Sequence, residues 1–416
     1  MMHYDAIIIG GGPGGSSAAT YLSRAGKRVL ALEKEIFPRF HIGESLLPYN
    51  HRIFRELGLL PALKQAGFIP KYGAQFILGS GTKATKFVFR DGRYTREPEA
   101  VQVDRATFDH ILMKHARASG AEIREGWTVS KFSNEPGGVV IEARSGSNPV
   151  EQFRAKFLID ASGRGNVTGN QEGLRIIHPR LKKLAVFGHF RGVKMDEGDR
   201  FGDTIVIRLE NKWFWVIPIT RERTSVGCVM NQEEFANAKL PPAEIFERIW
   251  RTSEALCERM KNAKLDGPMH TTSDFSYYNR RLVGERLLRV GDAAGFMDPI
   301  FSSGVYLAMF SGKLAAEAVA QSLDANDDGR ARLKKYERRV RAAMKFYWEL
   351  VEKFYTKPFM EIFLEPREKF NIVPTVNAVL AGELEGGWAL RWRLRLFYWI
   401  VKAQGYFPLV PRVKFD

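Results

Sequence analysis

The chain has 416 residues with 63 Lys or Arg against 47 Asp or Glu, a formal charge of +16, and its 45% hydrophobic and 26% charged content excludes disorder as the main state. Two cysteines, Cys228 and Cys257, exclude a disulfide scaffold, lack metal-ligand spacing and fit a reducing compartment. No apolar run reaches the roughly 18 residues of a membrane span, and Met1 to Asp5 lack the basic start of a signal peptide, so a soluble, cytoplasmic protein without a transmembrane segment is expected.

In chain order, residues 6–9 are wholly apolar, as in a strand covered on both faces. The run Gly10-Gly11-Gly12-Pro13-Gly14-Gly15 follows, then a helix over 16–24 rich in Ala and Ser, then a strand over 29–32 that finishes at Glu33. A loop at 36–48 leads into helical pattern at 52–57 and strand-like alternation over 73–89. Residues 105–119 place Phe108, Ile111, Leu112 and His115 at helical spacing. A strand at 157–160 is followed by apolar–polar alternation over 184–230, which reads as antiparallel sheet. Residues 289–292 read as a strand ending in a turn, and 305–323 as a buried helix. Leu333, Tyr336, Val340, Met344, Tyr347 and Val351 recur three to four apart, predicting a long helix over 330–351. The fold class is α/β: a Rossmann-like domain over 1–329, interrupted by an antiparallel-sheet substrate region at approximately 60–100 and 180–285, with a helical C-terminal region over 330–416.

The glycines sit between a strand and a helix in the spacing Gly10-x-Gly12-x-x-Gly15. Gly10 permits the tight turn, Gly12 lets the backbone approach a pyrophosphate, and Gly15 lets helix and strand pack closely. The helix N-terminus then offers unpaired N–H groups to the phosphates. Glu33 lies 33 − 15 = 18 residues past Gly15, where a carboxylate can bond a ribose hydroxyl. A ligand-free glycine turn would not need the strand, the helix and the acid in this order.

Three further segments carry a resemblance. Leu288-Arg289-Val290-Gly291-Asp292-Ala293-Ala294 resembles the second flavin motif of the para-hydroxybenzoate hydroxylase-like superfamily, in which the Asp binds the ribityl chain. The stretch Val103-Asp104-Arg105-Ala106-x-Phe108-Asp109 resembles its segment with an Arg near the flavin, and Leu158-Ile159-Asp160-Ala161-Ser162-Gly163 resembles its strand-end motif. The resemblance implies FAD as cofactor, with Asp292 and Arg105 on it.

Within that superfamily the chain is similar to the flavin-dependent halogenases of the pyrrole and phenol type. Phe37-Pro38-Arg39-x-x-Ile42-Gly43-Glu44-Ser45-Leu46-Leu47-Pro48 resembles their loop beside the isoalloxazine, which puts Arg39 and Ser45 at the cofactor. Trp213-Phe214-Trp215-Val216-Ile217-Pro218 matches their WxWxIP motif. Trp213, Trp215 and Pro218 would form a barrier between flavin and organic substrate. Phe296-Met297-Asp298-Pro299-Ile300-Phe301-Ser302-Ser303-Gly304 matches FxxPxxSxG, with Pro299 at the cofactor. A turn entering a helix presents N–H groups to an anion; the resemblance implies that Ser302, Ser303 and Gly304 hold chloride or bromide. Lys71, in Lys-x-Gly-Ala-x-Phe, matches the position of the catalytic lysine. The implied chemistry starts from FADH2, with hypohalous acid formed from a flavin hydroperoxide and halide. Lys71 then hydrogen-bonds that acid, or forms a haloamine with it, and directs the halogen to an electron-rich ring.

The resemblance further implies an aromatic substrate, free or tethered to an acidic carrier protein. A separate flavin reductase is expected, since the sequence has no second dinucleotide fingerprint. Residues 330–345 hold eight basic residues and one acidic, and residues 388–416 six basic, one acidic and eight aromatic, a pattern able to steer an acidic partner. An anionic membrane surface is the alternative; nucleic acid is not expected, because no binding module is recognised. The competing functions are a geranylgeranyl reductase-like isoprenoid reductase, an aromatic monooxygenase and a catalytically silent flavoprotein. The reductases carry Tyr or Phe and a following Lys where this chain has Trp and Ile219.

Overall fold

The computed structural model describes residues 3–92, 95–367, 371–384 and 387–415. The chain opens with β1 (His3–Ile9), α1 (Pro13–Arg24) and β2 (Val29–Glu33). α2 (Asn50–Leu57), β3 (Ile69–Lys71), β4 (Gly73–Leu78), β5 (Ala84–Val88), β6 (Ala100–Gln102) and α3 (Arg105–Ala118) follow. Next come β7 (Glu122–Glu125), the hairpin β8 (Trp127–Glu135) and β9 (Gly138–Ser145), and the long β10 (Glu151–Asp160).

β1 lies between β10 and β2, parallel to both, with Ile7 facing Leu158 and Leu30. Its apolar run has a separate reason on each face. Ala6 and Ile8 join the core beneath α1, while Ile7 and Ile9 pack with Val129, Phe132, Val139 and Ile141 of the β8–β9 hairpin. β10 serves both layers, because its first half pairs β9 antiparallel and its second half pairs β1.

A second sheet runs in the order β11 (Lys183–Arg191), β14 (Arg223–Asn231), β13 (Trp213–Pro218), β12 (Thr204–Arg208), β4, β5. Its pairs are antiparallel except for β12 beside β4. Period-two alternation divides its side chains. Trp213, Trp215 and Val206 face the main core, whereas Phe214, Val216 and Ile207 face Ile245, Phe246 and Leu256 on helices Pro242–Trp250 and Glu254–Met260.

β15 (Leu287–Arg289) returns to the first sheet beside β10 and leads to α4 (Gly304–Asp324). α4 packs on α1 at glycine contacts: a Cβ on Gly312 would lie 2.5 Å from the Gly14 carbonyl oxygen. α5 (Arg330–Phe354) lies on α4, and all six residues of the expected stripe are buried. The chain ends in α6 (Lys357–Phe363), α7 (Ile372–Ala381) and α8 (Trp388–Tyr406). Phe363 packs on Phe76 and Phe87 at ring-centroid distances of 4.8 Å, so the last helices rest on the β4–β5 side of the second sheet.

Candidate functional site

A cavity of about 600 Å³ opens where the two sheets meet. Its floor is the β1–α1 turn. Gly10 has φ +99°, and a Cβ there would lie 2.4 Å from the Ala161 carbonyl oxygen; one on Gly15 would lie 1.9 Å from the Gly10 oxygen. Gly10, Gly12 and Gly14 line the cavity, while Gly15 is used in packing α1 onto the turn. Glu33 lines the cavity, and its two carboxylate oxygens accept the N–H groups of Gly11 (2.6 Å) and Glu35 (2.8 Å). An ionised carboxylate has about four acceptor sites, which leaves capacity for a sugar hydroxyl.

Arg39 and Arg105 both line the cavity and are held by one carboxylate. Asp109 on α3 accepts from Arg105 Nε at 2.8 Å, Arg105 Nη2 at 2.8 Å and Arg39 Nη1 at 2.9 Å. Burial would raise the Asp109 carboxyl, but the Arg105 and Arg39 guanidiniums together outweigh burial and hold it below the usual range. Arg105 Nη1 also donates to the Ile42 and Gly43 carbonyls, tying the loop over the cavity to α3. Asp109 was present in the quoted motif without a role; only contact with both arginines reveals it.

Asp292 lines the far end. Burial pushes its carboxyl up to about 6, against the pull of Arg164 and Arg105. Pro299, Ser302, Gly304 and Val305 line the cavity at the start of α4. Pro299–Phe301 forms a single 3-10 turn, and Ser302 takes a left-handed φ of +55° before the helix begins. Ser303 is the N-cap residue of α4; it is buried and lies outside the lining.

The opposite wall is β13. Trp213 and Trp215, two apart, both line the cavity with ring centroids 5.9 Å from each other. Trp215 Nε1 donates to Ser225 Oγ at 3.0 Å and Trp213 Nε1 to the Tyr355 hydroxyl at 2.9 Å. Tyr355 in turn donates to Asp298 Oδ2 at 2.6 Å, joining the indole wall to the turn before α4. Pro218 ends β13, buried and outside the lining. Nothing in the sequence around Tyr355 marks it for this bridge.

Lys71 is 2% exposed and lies outside the lining. Its Nζ donates to Ser45 Oγ at 2.8 Å and to the Leu46 carbonyl at 3.0 Å. Ser45 lines the cavity and exchanges a 2.7 Å hydrogen bond with Thr204, which also lines it. The amine is therefore one hydrogen bond from the cavity. Burial lowers it to about 7, with Asp203 pulling it back up. Among the described residues no group of His, Cys, Asp and Glu is arranged to hold a metal, and no helix is long and apolar enough to cross a membrane.

A family model described as FAD binding domain matches residues 3–351. The 1H-pyrrole-2-carbonyl-(peptidyl-carrier protein) chlorinase of Pseudomonas fluorescens is 32% identical over 409 residues, covering 92% of this chain and 90% of that protein. The corresponding brominase of Pseudoalteromonas luteoviolacea is 35% identical over 328 residues, 78% of this chain and 79% of that protein. The solved structure of the flavin-dependent brominase Bmp2 superposes with a TM-score of 0.86 at 30% identity, covering 97% of this chain and all of that one. FAD is the cofactor of the matching family, and the cavity fits it. The cradle admits backbone approach at Gly10 and Gly14, whose added Cβ atoms would collide with their neighbours, three arginines line it, and a buried carboxyl with disfavoured charge, Asp292, lies among them.

Proposed function

The chain belongs to the flavin-dependent halogenases, and on that premise we propose that it moves an oxidised halogen from the FAD cavity to an electron-rich pyrrole or phenol through Lys71. The observation that carries this reading is the position of the Lys71 amine: buried, lowered to about 7 by burial, and one hydrogen bond, through Ser45, from the cavity that the two indoles line. Reduced FAD, when bound, supplies the electrons that turn O2 and halide into hypohalous acid. Gly10, Gly12 and Glu33 hold its adenosine-diphosphate half, with Gly15 packing α1 against the turn. Arg39, Ser45, Arg105, Asp292 and Pro299 hold the flavin half. The N–H groups around Ser302, Ser303 and Gly304 receive chloride or bromide.

Trp213 and Trp215 keep an organic ring off the flavin, and Pro218 ends the strand that carries them. Burial lowers the Lys71 amine toward neutral pH, which favours its unprotonated, nucleophilic form. Its lone pair forms a nitrogen–halogen bond as the halogen–oxygen bond breaks, and hydroxide leaves with an amine proton as water. The ring then takes the halogen and loses a proton, returning the amine. We further propose that the substrate is a carrier-tethered acyl aromatic and that a separate reductase supplies FADH2; the named activities of the two pyrrole-halogenating relatives support the tethered form.

The test is Lys71→Ala with FADH2, O2 and bromide on free and carrier-bound pyrroles and phenols, read by isotope pattern. Halogenation should disappear while flavin oxidation and peroxide release persist. Halogenation retained by this variant removes Lys71 from the mechanism.

A further inference from the structure

α8 divides into two unlike faces. Leu390, Leu394, Phe397, Val401 and Gln404 are buried; Phe397 packs on Phe359 of α6 at 5.6 Å. On the other side, at 3.6 residues per turn, Trp388, Trp392, Trp399 and Tyr406 fall within about 40° of each other. Arg391, Arg395 and Lys402 form a parallel row beside them, also within about 40°. Trp388 is 80% exposed, Trp399 66% and Tyr406 72%. Scattered exposed aromatics are ordinary, but a row of them along one helix marks an interaction surface.

The cations of this row differ from those of α5. Arg332, Arg341 and Lys345 on α5 meet Asp327, Glu337 and Glu349, so part of that cationic helix is already paired with carboxylates. α8 contains no acidic residue, and Arg391, Arg395 and Lys402 make no ion pair with a described carboxylate. The continuous apolar arc that an interfacial helix would turn to lipid is already spent inside the protein. What remains outside is a strip one helix wide, aromatic along one edge and cationic along the other.

We propose that this strip docks an acidic helix of the carrier protein that presents the tethered substrate, its carboxylates on the cation row and its apolar side chains on the aromatic row. The inference rests on the tethered-substrate reading above. It also suits the geometry. α8 rests on α6, and α6 rests on Phe76 and Phe87 of β4 and β5. α7 bonds the Val88 carbonyl through Asn377, and Phe89, next in the chain, lies 5.6 Å from the Lys71 amine. α8 therefore packs, through α6, on the β4–β5 pair that follows Lys71 in the chain. Aromatic and Arg residues carry most of the energy at such contacts, and rows of opposite charge steer encounter in a salt-dependent way.

The test compares holoenzyme, the double variant Arg391→Glu/Arg395→Glu and Trp399→Ala. Two substrates are used: pyrrole-2-carbonyl thioester on a peptidyl-carrier protein, and the same acyl group on pantetheine alone. Both variants should raise KM for the carrier-bound substrate about tenfold or more with kcat unchanged, leave the pantetheine thioester unaffected, and lose the salt dependence of KM in the charge-reversed case. An unchanged KM for the carrier, or an equal loss on both thioesters, overturns the docking surface while the proposed function stands. The surface is likewise overturned if the variants lose binding to phosphatidylglycerol vesicles but keep carrier KM. If wild-type enzyme halogenates free pyrroles or phenols but neither thioester, the tethered-substrate reading falls and the strip's role with it.

Discussion

Lys71 shows how one buried group ties stability to pH. An amine in the unfolded chain titrates near 10.4, whereas burial lowers this one to about 7 in the folded protein. Between those values the unfolded state holds a proton that the native state lacks, so native stability rises with pH. The slope is about 1.4 kcal/mol per pH unit for one such group. Lys71→Met removes that term, and urea unfolding at pH 7, 8 and 9 should show the wild type gaining on the variant as pH rises. A flat difference would mean that the amine stays charged when folded. Gly227 makes a second, steric case. A Cβ there would meet Trp215 Cζ2 at 2.2 Å and Phe187 Cβ at 2.6 Å, so the glycine makes room for the indole. Gly227→Ala should push Trp215 off the wall, cost about 1–3 kcal/mol as overpacking does, and change tryptophan near-ultraviolet dichroism. An unaltered signal would show that the indole does not depend on this gap.

At the scale of elements, the indole wall is held from two directions. β14 supplies Ser225 and Gly227 behind Trp215, and the end of α5 supplies Tyr355 behind Trp213. Through Asp298 the same tyrosine reaches the turn that opens α4, so wall and candidate halide turn share one brace. Asp298 is fully buried, and burial raises its carboxyl above the usual range. Tyr355→Phe would leave the Trp213 N–H and one Asp298 oxygen with no bridge between them. A lost buried hydrogen-bond partner costs about 1–3 kcal/mol, and denaturant unfolding should report a loss of that size with bromide affinity reduced. Stability equal to wild type would mean that the two groups find other partners.

For the whole molecule, the cavity between the two sheets makes folding and FAD binding one equilibrium. A ligand at 100 times its Kd adds about 2.7 kcal/mol to the native state, so saturating FAD should raise Tm, and the rise should be absent in Gly10→Ala. The reason is backbone geometry: φ is +99° at Gly10, and the added Cβ would collide with the Ala161 carbonyl. An FAD-induced rise of equal size in that variant would place the cofactor elsewhere. The cofactor cradle was legible in the sequence because its parts are local. Gly10, Gly12, Gly15 and Glu33 lie on one strand–helix–strand unit, and their spacing follows from helix and strand geometry. Period two likewise put Trp213 and Trp215 on one face of a strand, and helical periodicity revealed the buried side of α5. The β8–β9 hairpin and the helices under the second sheet escaped notice because their packing partners are distant in sequence. The same holds for the surroundings of the reactive groups: Lys71 meets a serine 26 residues away, Ser45 a threonine 159 away, and Trp213 a tyrosine 142 away. Sequence by itself determined which cofactor the chain binds and which chemistry it runs, since those are written in contiguous motifs. The tertiary structure alone decided that the lysine is buried one hydrogen bond from the cavity, that one aspartate anchors both arginines, and that α8 leaves a cationic aromatic strip uncovered, because desolvation and contact arise only when remote segments pack together.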